Sequence, residues 1–109
     1  MMIFRESKYF KRAFKKLRKK YPSISKDLTA LLLKLEQNPF EGESLGDNCY
    51  KVRMSISSKN KGKSGGARVI TCVKIIDDVI HLLTMYDKSE IDNISDEYLD
   101  ELRKSIEED

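Results

Sequence analysis

The sequence predicts an α+β fold in one domain, residues 1–109, with elements in the order β-α-α-β-β-β-α. An N-terminal helical hairpin should pack on a twisted antiparallel sheet, with one more helix at the C-terminus. Three observations predict this. Apolar residues recur at helical spacing from residue 7 to 35. They alternate, or concentrate as β-branched runs between turn signals, from 50 to 86. Helical spacing then returns behind a capping serine at 95. A chain of 109 residues is long enough to bury a core without disulfides or a metal.

Residues 2–5 are short and apolar enough for an edge strand. From Ser7 onward Phe10, Phe14, Leu17 and Tyr21 fall at i, i+4, i+7 and i+11, one face of a helix. Pro22 interrupts it, and Ser23 or Ser25 can cap a second helix whose apolar face is Ile24, Leu28, Leu31, Leu32 and Leu35. So short a connection makes the two helices an antiparallel hairpin. Asn38-Pro39-Phe40-Glu41-Gly42 ends the hairpin with turn chemistry.

The sheet follows. Tyr50, Val52, Met54 and Ile56 alternate with Lys51, Arg53, Ser55 and Ser57, a period of two with one apolar and one polar face. Residues 58–67 form a Gly-, Ser- and Lys-rich hairpin loop, residues 68–75 a second strand, and Asp77-Asp78 a second turn. Residues 79–86 are apolar on both parities, which places that strand inside the sheet and covers both its faces. Ser95 caps the last helix, Asp96 and Glu97 sit where its dipole favours anions, and Leu99, Leu102 and Ile106 form its stripe.

The formal net charge is only +3, but it is an average of two unlike regions. Residues 1–74 carry 18 Lys and Arg against 6 Asp and Glu, a formal +12; residues 75–109 carry 3 against 12, a formal −9. Such polarity suits a surface that meets a polyanion. The acidic last helix, set against one side of the sheet, should keep such a polyanion off that surface. No apolar run approaches the roughly 20 residues of a membrane span, and the first residues lack the core of a signal peptide. Cys49 and Cys72, without C-x-x-C spacing or a secretion signal, read as reduced, partly buried thiols, and with a single His they make a poor zinc site. The chain reads as soluble and cytosolic, with no cofactor.

Three features suggest chemistry. The first helix carries Lys8, Lys11, Arg12, Lys15, Lys16, Arg18, Lys19 and Lys20, more charge than solubility requires; phosphate contact, which releases counterions, accounts for it. Lys15, Lys16 and Lys19 are candidate RNA contacts. The second feature is the polar sheet face. Lys51, Arg53, Lys59, Lys61, Lys63, Arg68 and Lys74 occur between residues 51 and 74 without an anion, and like charges on one sheet repel unless something negative sits among them. Lysines that blunt an exposed edge explain the loop but not Arg53 and Arg68. The third is Tyr86, at a strand end, able to stack on a base or to bond a phosphate, followed by Asp87-Lys88-Ser89. His81, mid-strand, reads as a core histidine. Gly62-Lys63-Ser64 is no phosphate loop, because the Walker pattern needs Gly at position 57, which is Ser.

The chain resembles the RelE/ParE superfamily of type II toxin-antitoxin toxins, nearest to its RelE- and HigB-like branch. The likeness is carried by Phe14-Lys15-Lys16-Leu17 through Lys20-Tyr21-Pro22, by Asn38 to Gly42, by Lys51-Val52-Arg53, by Lys61 to Ile70, and by Leu82 to Glu90. It implies a RelE-like fold and a metal-independent endoribonuclease that cleaves mRNA in the ribosomal A site and arrests translation. Its partners would be the ribosome and a cognate antitoxin that blocks the basic face, with DNA reached only indirectly through the antitoxin complex and no membrane.

The implied reaction is attack of a ribose 2′-hydroxyl on the adjacent phosphate, which needs a base, cations for the phosphorane and an acid for the leaving oxygen. The resemblance assigns catalytic roles to Lys51, Arg53, Arg68, Tyr86 and Lys88, and RNA contacts to Lys59, Lys61 and Lys63, with Lys74 beside them on the sheet. Some relatives use a catalytic carboxylate or a C-terminal histidine; with neither at the matching place, Lys51 becomes the candidate base. The alternatives are a non-catalytic ParE-like toxin that inhibits DNA gyrase and a double-stranded-RNA-binding module, the latter opposed by the acidic last helix.

Overall fold

The computed structural model describes residues 2–59 and 66–107. Their order is β1 (Ile3–Glu6), α1 (Lys8–Lys20), α2 (Ile24–Gln37), β2 (Glu43–Gly46), β3 (Cys49–Met54), β4 (Ala67–Lys74), β5 (Val79–Asp87) and α3 (Asp96–Glu107). The sheet runs β1-β5-β4-β3-β2. The α+β class, the two helices on one face and the covered interior strand follow the sequence expectation.

Two features correct it. First, β2 is an additional strand, so the order is β-α-α-β-β-β-β-α. It holds one large apolar residue, Leu45, and was invisible to periodicity. Its signal is the turn: Asp47 and Asn48 both take positive φ, 52° and 62°, as a two-residue hairpin turn requires, and Asp and Asn tolerate this better than most residues. Second, the sheet is mixed, because β1 runs parallel to β5 with Ile3 beside Val79. Four residues of apolar pattern carry no direction; the direction is fixed where α1 must begin. The Ser7 N–H donates to Leu82 O at 3.0 Å, and the Ser7 hydroxyl donates to Leu83 O at 2.6 Å while accepting from Phe10 N. Leu83 is the residue skipped between Leu82 and Thr84 in the β4–β5 register. The N-cap of α1 therefore satisfies a carbonyl that the bulge released.

Two cores lie on opposite faces. Phe10 and Leu17 of α1 with Ile24, Leu28, Leu31 and Leu35 of α2 pack on Val52, Met54, Val69, Val73, Ile80 and Leu82. On the other face, Leu99 and Leu102 of α3 cover Cys49, Ile70, Cys72, Leu83 and Tyr86. The strand parity expected for 50–57 holds through Met54, so Lys51 and Arg53 share the face of α3. Beyond the ladder Ser57 donates its N–H and hydroxyl to Asp27, which with Ser23 ties the start of α2 to the end of β3. Burial would raise the Asp27 pKa, but the Ser57 and Ser23 hydrogen bonds outweigh it and lower the pKa.

Candidate active site

The register of three strands builds the site. Arg53 lies opposite Arg68, and Arg68 opposite Tyr86, so the three residues form one row across β3, β4 and β5. Val73 N donates to Asn48 O, so in this ladder every second pair from Asn48–Val73 exchanges hydrogen bonds. By that alternation Arg53 and Arg68 form a non-hydrogen-bonded pair, whose Cα atoms approach to about 4.5 Å. Two cationic side chains rooted opposite each other on one face favour a bound anion between them. Arg68 is buried and also donates to Ala67 O at 3.2 Å, while Arg53 is exposed.

Lys51 stands next on the same face. Its Nζ is 3.4 Å from Glu43 Oε1 and donates to Asn93 Oδ1 at 2.9 Å. Glu43 reaches it because β2 pairs with β3 and sets Glu43 opposite Lys51. Gly42 permits the approach: its φ is +104°, and a Cβ there would lie 2.4 Å from Lys51 O. Lys88 closes the far wall, its backbone N–H donating to Gly66 O and its Nζ 3.9 Å from Asp92 Oδ1. Together Glu41, Glu43, Lys51, Arg53, Arg68, Lys88, Asp92 and Asn93 line a cleft of about 330 Å³.

Four expected cations and three carboxylates thus share one concavity. Sequence reasoning missed Glu41, Glu43, Asp92 and Asn93 as site residues. Glu43 was legible only through the Asp47-Asn48 turn, and Asp92 and Asn93 lie in a loop with no pattern.

The other expected residues are distributed differently. Tyr86 shares the row of the arginines, yet α3 buries it to 5% exposure, and its hydroxyl has no hydrogen-bond partner among the described residues. Burial raises its pKa, against the charge of Arg68. Its side chain borders a second groove of about 260 Å³ between α1 and the segment before α3, lined by Ala13, Leu17, Ile91, Ile94 and Tyr98. Lys59 is committed elsewhere: Nζ donates to Asp87 Oδ1 at 2.8 Å and lies 5.7 Å from the Tyr21 ring centroid. Lys74 is exposed at the opposite end of β4, about 20 Å from Arg68 at the rise of a strand. Lys15, Lys16 and Lys19 are exposed on α1, across the sheet from the cleft. Lys61 and Lys63 lie outside the described residues.

Asp87 holds the end of β5 in place. Its carboxylate, 1% exposed as a residue, accepts from the Tyr21 hydroxyl, Lys59 Nζ, and the Ser89 N–H and hydroxyl. Burial alone would raise its pKa; the Lys59, Tyr21 and Ser89 hydrogen bonds reverse this and hold it well below the usual carboxylate range. Tyr86 and Lys88 flank it, so this anchor fixes both the row and the cleft wall. The acidic α3 lies on the cleft's own face, not across from it, and covers the sheet from the Cys49–Cys72 end as far as Tyr86 beside Arg68. It therefore flanks the cations.

No three His, Cys, Asp or Glu residues among those described are placed to hold a metal ion, and no helix among them is long and apolar enough to cross a membrane. A search of curated proteins gives no match. The family model of the RelE toxin of the RelE / RelB toxin-antitoxin system matches residues 1–108, nearly the whole chain that builds this cleft. The chain belongs to the RelE family of toxin-antitoxin toxins.

Proposed function

We propose that the protein is a ribosome-dependent endoribonuclease that cuts mRNA in the A site, and that the Lys51–Arg53–Arg68–Lys88 cleft is where it does so. The observation that carries this reading is the opposed Arg53–Arg68 pair, two cations held together with Glu43 within reach of the same concavity. In-line attack of a ribose 2′-hydroxyl on the neighbouring phosphate forms a phosphorane with added negative charge, and preorganised donors aimed at it lower the barrier. Arg53 and Arg68 supply those donors. Glu43, in place of the lysine expected from sequence, accepts the 2′-hydroxyl proton, with Lys51 beside it as a further cation. Lys88 gives a proton to the departing 5′-oxygen. Tyr86 backs the arginine row from β5 and reaches a base only where α3 gives way. Exposed Lys15, Lys16 and Lys19 add sequence-independent contact with RNA. A cognate antitoxin, implied by the family, silences the protein by covering these cations.

The test is translation of a defined message with the purified protein, mapping 3′ ends by primer extension. Breaks confined to ribosome-loaded message support the reading. Cleavage of naked RNA at equal rate, or inhibition of gyrase supercoiling without mRNA cleavage, overturns it.

A further inference from the structure

At the end of the sheet away from the cleft, Cys49 and Cys72 face each other directly across β3 and β4. Both are free thiols, buried under α3, on the same face. The alternation that makes Arg53–Arg68 a non-hydrogen-bonded pair makes Cys49–Cys72 another, four residues along each strand. That is the close type of antiparallel pair, with Cα atoms about 4.5 Å apart, inside the range a disulfide spans. Arg103 of α3 lies over the pair. Its Nε donates to Cys49 Sγ at 3.4 Å, and its Nη2 donates to Leu45 O and Gly46 O, the carbonyls at the β2 irregularity. Its Nη1 is held by Asp100 at 3.2 Å, so the guanidinium is fixed against one thiol of the facing pair.

We propose that Cys49 and Cys72 form a redox-active dithiol, which a peroxide converts reversibly into a cross-strand disulfide, with Cys49 as the attacking sulfur and Cys72 as the resolving one. The Cys49 pKa is lowered to about 6, first by the facing Cys72 thiol and then, against burial, by Arg103; Cys72, whose Sγ donates to Asp47 O at 3.8 Å, is shifted upward by Cys49 and by burial. Other charged groups near the pair are Asp47, which opposes the Cys49 thiolate, and Lys74, which favours the Cys72 thiolate. His81 is directly opposite Cys72, and Arg5 is beside His81 on β1.

The steps balance. The Cys49 thiolate attacks one oxygen of hydrogen peroxide, the O–O bond breaks and hydroxide leaves, giving a sulfenic acid. The Cys72 sulfur then attacks that sulfur and forms the S–S bond. The sulfenic hydroxyl departs with the Cys72 proton as water. Two sulfurs lose two electrons in total, and the peroxide is reduced. A disulfide between adjacent strands is strained, which raises its reduction potential and makes it easy to reverse. The bond would pin β3 to β4 and remove the thiolate that Arg103 faces.

The experiment needs no activity assay. The full-length protein is exposed to hydrogen peroxide at pH 7, denatured, capped with N-ethylmaleimide and weighed intact. The expected product is a monomer lighter by two hydrogens with no maleimide added, and dithiothreitol restores two reactive thiols. In Cys72→Ser, dimedone should label Cys49, while Cys49→Ser should react at least severalfold more slowly than wild type, as should Arg103→Gln. Two maleimide adducts after peroxide, a disulfide-linked dimer, or dimedone capture at Cys72 in the wild type would each overturn the proposal. Wild-type protein gives the decisive readout, so a poorly folded variant cannot hide the answer.

Discussion

Replacing Asp87 with Asn removes a buried charge while keeping the side chain's shape. The carboxylate has no exposed side-chain surface, and the Lys59 side chain is 16% exposed, so solvent screens the pair little. Four hydrogen bonds converge on Asp87, from Tyr21, Lys59 and Ser89, and Lys20 Nζ lies 3.9 Å away. Removing one partner of a buried ion pair costs about 3–5 kcal/mol, because the other charge is left uncompensated. The amide keeps one acceptor, and Lys59 can turn toward water, so the expected loss is about 3 kcal/mol, a large part of the 5–15 kcal/mol of a typical domain.

The sign of the pH dependence follows from the lowered pKa. The folded-state pKa of Asp87 lies below the unfolded value of about 3.9, so its contribution is full above that value and is lost as pH falls through the folded one. Urea melts of wild type and Asp87→Asn should therefore differ most at pH 6–7 and converge as pH drops below about 4. A difference under about 0.5 kcal/mol at neutral pH, or one unchanged at low pH, would refute the anchor.

Three further outcomes are expected. Gly42→Ala places a Cβ 2.4 Å from Lys51 O at a φ of +104°, so it should destabilise the protein by about 2 kcal/mol or more, by strain and by loosening the Glu43–Lys51 pair; an unchanged urea midpoint would refute this. Changing Lys15, Lys16 and Lys19 together to Gln should reduce the salt slope of single-stranded RNA binding by about 2 and leave the melting temperature nearly constant, as a salt titration by fluorescence anisotropy would show. Glu43→Gln should lower the single-turnover rate of cleavage more than Lys74→Gln does. If the two variants cleave alike, the base lies elsewhere.

Much of the fold was legible because periodicity reports burial. Phe10, Leu17 and Leu35 are buried where a 3.6-residue period places them, and Val52 and Met54 where a two-residue period does. β2 escaped because Glu43–Gly46 has no alternating pattern, and its pairing is written in the Asp47-Asn48 backbone. The direction of β1 escaped because it depends on the Leu83 bulge, a tertiary feature. At the site, parity found the arginine row, since residues sharing a parity share a face. It could not find Glu43, which arrives from a missed strand, nor distinguish Lys59, bonded to a buried carboxylate, from a cation offered to RNA. Lys74 has the right parity and stands at the wrong end. Parity gives the face of a sheet; only register gives position along it.

The central claim is that the opposed arginines stabilise the transition state of mRNA cleavage. Its most direct test is single-turnover cleavage of a ribosome-bound message by Arg53→Gln, with Lys74→Gln as the control on the same sheet face. Arg53 is exposed, so the fold should survive its replacement, as thermal melts would verify. Loss of a preorganised oxyanion donor predicts a fall of about 100-fold in rate for Arg53→Gln, with Lys74→Gln within a few fold of wild type. Equal rates for Arg53→Gln and wild type would contradict the account.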